Sequence, residues 1–155
     1  MTEERFRRLD ELTARSTEPT LEELLDAFLA PALRPLGTPD DGTAAFVRVL
    51  ARIQSESGEH VQAFLGAFRE SRARFFPAFA RALPHLDATT LEWRMHFVIG
   101  LMCSVLSDPH KIRIVSDGRC DTTDPAETLA QVVAFASAGL RAPKTHESVV
   151  EGESR

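Results

Sequence analysis

The stretch "LPHLDATTLEWRMHFVIGLMCSVLSDP", residues 83–109, starts as a capped helix and then loses its polar face. From Met95 to Leu106 only His96, Gly100 and Ser104 interrupt the apolar run. At about 100° per residue, Trp93, Phe97, Gly100 and Ser104 share one face of a helix, while Leu91, Met95, Val98, Met102 and Leu106 share the opposite one. Both faces require burial. One can go to the chain's own core, and the simplest partner for the other is the same surface of a second copy, with the small residues 100 and 104 allowing close approach. A central helix wrapped entirely by its own chain is the competing arrangement.

The rest of the chain bounds what this helix can belong to. With 155 residues it forms one domain or at most two small ones, able to bury roughly two-thirds of its unfolded surface. Apolar residues at 43% and charged residues at 26% give the balance of a soluble globular protein. A net charge of -5 offers nucleic acid no electrostatic footprint. The charged start "MTEERFRRLDELTARS" is unlike a signal peptide, and residues 95–106 are too few to span a bilayer, so a cytoplasmic location without membrane contact is expected. The two cysteines lack CxxC spacing, and Cys103 reads as a small buried hydrophobe.

Helices follow one another along the sequence. Residues 2–15 carry Phe6, Leu9 and Leu12 at helical spacing. Thr20 and Glu23 form a capping box for a helix whose apolar face is Leu21, Leu24, Leu25, Phe28, Leu29 and Leu33, with Pro31 expected to kink it. A third helix is expected over residues 43–55 and a long fourth over 59–83, with half of the ten phenylalanines and an interior Pro77. Asp87 caps the quoted helix. Residues 112–115 read as a short strand-like run, and Asp124, with Pro125 and Glu127, caps a last helix to residue 140. The reading is an all-α bundle of about six helices over residues 1–141, followed by a polar, disordered tail over 142–155. The last helix has apolar Leu129, Val132, Val133, Ala136 and Leu140 and little charge opposite them, so it joins the quoted helix in an expected four-helix dimer interface. The seam is assigned to Trp93, Phe97, Gly100, Ser104, Val132, Val133 and Ala136.

"TLEELLDAFLAPALRPL", "FRESRARFFPAFARALPHLDATTLEWRMHFVIGLMCSVL" and "AETLAQVVAFASAGL" together resemble the C-terminal effector-binding and dimerisation domain of tetracycline-repressor-type (TetR) transcriptional regulators, over about residues 4–141. The resemblance implies a small hydrophobic or aromatic effector held among the helices, a homodimer built on the last two long helices, and DNA contacts made only through an N-terminal helix-turn-helix. No such segment precedes the first helix here. The sequence is therefore expected to be part of a longer repressor, or a truncated paralogue that binds ligand or pairs with a full-length relative.

A pocket is expected among Phe28, Phe64, Phe68 and Met102, with Arg72 near its mouth. Arg72 falls on the phenylalanine stripe, where a guanidinium can neutralise a ligand carboxylate or phosphate, or instead pair with Glu70, Glu56 or another acid at the bundle edge. Enzyme chemistry has little support. The five histidines make no HxxxH or HExxH pair, no Cys–His dyad is apparent, and GxGxxG, GxxxxGK and GxSxG are all absent. No metal and no cofactor is expected. A purely structural dimerisation module would have a filled core, whereas a sensor would keep a phenylalanine-lined cavity.

Overall fold

In the computed structural model, residues 2–34, 59–107 and 111–144 are described, without the side chains of residues 59–65, 67 and 68. The helix expected over 43–55, the tail beyond 144, and the side chains of Phe64 and Phe68 lie outside the described residues. The described elements are α1 (Thr2–Arg15), α2 (Leu21–Leu33), α3 (Glu59–Ala82), α4 (Ala88–Ser107), α5 (Lys111–Val115) and α6 (Pro125–Arg141). All are helices; the described residues contain no strand.

Helix α2 is the centre of the bundle. Its capping box is complete: the Glu23 backbone N–H donates to Thr20 Oγ1 at 3.2 Å, and Glu23 Oε2 accepts from the Thr20 backbone N–H at 2.8 Å. Nine of its residues are buried, among them Leu24, Leu25, Leu29 and Leu33. An amphipathic helix on the surface would bury only one stripe, so α2 needs neighbours on several sides, and it packs against α1, α3, α4 and α6. The helix continues through Pro31 to Leu33.

The long α3 likewise runs on through Pro77. Pro77 and Ala73 are both exposed, so water can serve the Ala73 carbonyl that proline leaves without a donor. Inward, Phe75 and Phe79 meet Phe28 edge to face, with centroids at 5.2 and 6.4 Å. Outward, Arg74 ties α3 to α1 by an ion pair with Asp10 at 3.0 Å and by lying 4.9 Å over the Phe6 ring.

Helix α4 divides as its phase requires. Leu91, Val98, Met102 and Leu106 are buried, while Trp93, Phe97, Gly100 and Ser104 are exposed. Asp87 accepts from the Thr90 backbone N–H at 2.7 Å and caps its start. Arg94 reaches across to α6 and donates to the carbonyls of Leu140, Ala142 and Pro143 at 2.8, 2.6 and 3.1 Å, placing a cation on orphan acceptors at a helix C-terminus.

Two local expectations are corrected. Residues 112–115 are not strand-like but lie in the short helix α5. The β-branched run has no sheet to join, and a helical turn satisfies its backbone locally. The helix ends in a Schellman arrangement, with Gly118 N–H on Arg113 O at 2.8 Å, Asp117 N–H on Ile114 O at 3.2 Å, and Asp117 at φ 52°. At α6, Asp124 caps through the Ala126 backbone N–H at 2.8 Å, but Glu127 accepts from Gln131 at 2.8 Å and does not turn back to close a box.

Candidate functional site

Between α2, α3 and α4 lies a cavity of about 280 Å³. Phe28, Phe75 and Phe79, all buried, form its base; Phe76, Met95 and Ile99, half-buried, form its walls. The rim is polar and exposed: Arg69, Arg72, Glu92 and His96. The volume is near the lower end of what small-molecule pockets offer, roughly 300–1,000 Å³. It suits one or two rings.

The polar groups at this cavity differ in how they are served. Arg72 pairs with Glu92 across the mouth and lies 4.7 Å over the Phe76 ring, so its charge is already answered. Arg69, one turn earlier, has no ion-pair partner among the described residues. Ser71 lines the cavity with 1% exposure, and its Oγ makes no hydrogen bond. A buried hydroxyl left in that condition costs about 1–3 kcal/mol.

Behind the base sits a buried cation. Arg5, 4% exposed, donates from Nε to the Phe28 carbonyl at 2.7 Å and from Nη2 to Met102 Sδ at 3.3 Å, and its guanidinium lies 4.7 Å over the Phe28 ring. Burial lowers its pKa to about 10, against a smaller upward pull from Cys103. Burial in turn raises the Cys103 thiol, with Arg5 pulling it down less strongly. Every acceptor on Arg5 is neutral.

Of the residues assigned to a pocket from sequence, Phe28 and Arg72 line this cavity. Met102 does not; it is fully buried, with Arg5 donating to its Sδ. Phe64 and Phe68 have no described side chains. Arg5 and Ser71 went unread, yet periodicity marks both: Arg5 is four and seven residues before Leu9 and Leu12, and Ser71 is four and eight before Phe75 and Phe79, so each stands on a buried stripe.

The second feature is the outer surface of α4 and α6. Trp93 and Phe97 are 61% and 62% exposed, with ring centroids 6.0 Å apart, and a groove of about 180 Å³ runs beside Phe97 to Phe135 and Gly139. The residues expected at the α6 seam are placed differently. Val132 and Ala136 turn inward, 5% and 4% exposed, Val133 is half-buried, and the outward residue is Phe135 at 73%. The cause is helical phase: the same face of α6 that the sequence shows as apolar is used up by the chain's own core.

No group of histidines, cysteines or carboxylates among the described residues could hold a metal ion. None of the described helices is long and apolar enough to cross a membrane.

A family model described as tetracyclin repressor-like, C-terminal domain, matches residues 26–139, well over half of the chain. No curated protein matches this sequence. No solved structure matches it either. The chain belongs to the family of tetracyclin repressor-like C-terminal domains.

Proposed function

We propose that this domain senses a small, largely apolar molecule in the cavity between α2, α3 and α4, on behalf of a transcriptional regulator whose DNA contacts are made by a helix-turn-helix segment. The observation that carries the reading is a cavity between α2, α3 and α4 that, among the described residues, is walled by Phe28, Phe75, Phe76 and Phe79. A domain serving only to dimerise gains stability by filling that space, since voids forfeit contact energy. Dimerisation, the second half of the reading, uses Trp93, Phe97, Gly100 and Ser104 of α4 together with Phe135 of α6. Arg72 stands at the cavity mouth and Phe28 at its base.

Isothermal titration with indole, a compact aromatic probe, tests the sensing half. The wild-type chain binds it saturably and melts at a higher temperature in its presence, as mass action requires of any ligand held by the native state. Ile99→Trp, which fills the cavity from its wall, raises the melting temperature by itself and removes indole binding. Absence of saturable binding to the wild-type chain sinks the assignment.

A further inference from the structure

The cavity itself narrows the ligand, on the reading above that it is a ligand site. We infer that it takes an aromatic acid with a neutral hydrogen-bonding group at the opposite end: the ring between Phe28, Phe75 and Phe76, the neutral group on Ser71 Oγ, and the carboxylate at the mouth by Arg69.

Two observations carry this. Ser71 lines a cavity otherwise walled by rings, Met95 and Ile99, and its Oγ is buried without a hydrogen-bond partner. A hydroxyl both donates and accepts, so a phenol or carbonyl oxygen on the ligand serves it. An ionised group does not fit at that depth, because among phenylalanine rings it would lose its hydration with only one hydroxyl in return. The inner end is therefore neutral. The rim is different: it carries Arg69, Arg72, Glu92 and His96, and the Arg72–Glu92 pair leaves Arg69 without an ion-pair partner among the described residues. Planar carboxylates match a guanidinium in two-point geometry. Arg72 is thus the gatepost that holds Glu92 away from Arg69, and Arg69 is the anion contact.

The test uses four probes with the full chain, read by fluorescence titration: 6-hydroxy-2-naphthoate, 2-naphthoate, 2-naphthol and naphthalene. The hydroxynaphthoate binds tightest. Loss of its hydroxyl weakens binding about fivefold, the worth of one net hydrogen bond. Loss of its carboxylate weakens binding about threefold at low salt and removes the salt dependence, as expected of an exposed contact. Ser71→Ala brings hydroxynaphthoate down to the affinity of 2-naphthoate and leaves 2-naphthoate unchanged; Arg69→Gln does the same with respect to 2-naphthol. Equal, saturable binding of all four probes overturns this ligand class and leaves the sensing function standing. Hydroxynaphthoate binding that is indifferent to both substitutions also overturns it. Failure of every probe, naphthalene included, overturns the ligand class and the sensing function together.

Discussion

Arg5 Nε donates to the carbonyl oxygen of Phe28 at 2.7 Å, so the first helix of the chain is fastened to the backbone of the residue whose ring floors the cavity. The same guanidinium stacks on that ring and touches Met102, yet it has no carboxylate partner among these contacts. Buried ions of this kind are poor sources of stability, because apolar replacements of similar volume escape the desolvation penalty. Arg5→Met is expected to leave the urea midpoint unchanged or raise it. Arg5→Ala removes the stem as well and opens a void against Met102, so it falls about 2 kcal/mol below the methionine variant. If methionine costs as much as alanine, the hydrogen bonds of Arg5 outweigh its desolvation.

Ser71 sets up an opposition between stability and binding. Ser71→Ala deletes the orphaned hydroxyl and puts a better helix former inside α3, so the free domain gains about 1 kcal/mol and melts a few degrees higher. Calorimetric melting without ligand checks this. A lower melting temperature means that the hydroxyl already has a partner in the free protein.

These two residues also mark where the sequence could be read and where it could not. Caps depend on neighbours two or three residues apart, and the Thr20–Glu23 box and the Asp87 and Asp124 caps are visible as strings. The division of α4 into a buried and an exposed face follows from its own phase. Which apolar face of α6 meets the core is not a local property: Val132 and Ala136 are claimed by the chain's own interior, and that leaves Phe135 outside. Nor could the alternating Ile112–Val115 run reveal that no strand waits to pair with it. Arg5 and Ser71 sit at stripe positions where polar residues are easily taken for interruptions. Their meaning comes from groups 23 and 97 residues away in the case of Arg5.

Glu22 and Arg141 join the start of α2 to the end of α6, with Arg141 Nη2 donating to Glu22 Oε2 at 2.8 Å. The hydrogen bond from Arg141 is the main reason the Glu22 carboxyl is held down to about 2 from an ordinary 4.5. A depressed carboxylate pKa adds stability above the unfolded value of 4.5 and loses it as pH falls toward 2. Both side chains are about half exposed, 44% and 51%, so solvent screening keeps the contribution below about 1 kcal/mol. Glu22→Gln should therefore be a few tenths of a kcal/mol less stable than wild type at neutral pH, with the two denaturation curves merging near the bottom of that window. A difference that persists at pH 2 places the effect outside this ion pair.

Gly100 lies on the exposed face of α4, and a Cβ added there meets nothing within 4 Å in the protomer. Glutamate also suits a helix interior better than glycine. Gly100→Glu therefore leaves the isolated bundle intact and reports on association alone. If Trp93, Phe97 and Gly100 face their symmetry mates, a two-fold axis brings two new carboxylates together in a desolvated seam, at a cost of several kcal/mol. Sedimentation equilibrium is expected to give a dimer for the wild-type chain and a monomer with unchanged helical content for Gly100→Glu; Phe135→Asp, on the outward face of α6, should weaken the dimer in the same way. A wild-type chain that stays monomeric at high concentration, or a Gly100→Glu variant that dimerises as tightly as wild type, removes this face of α4 from the interface.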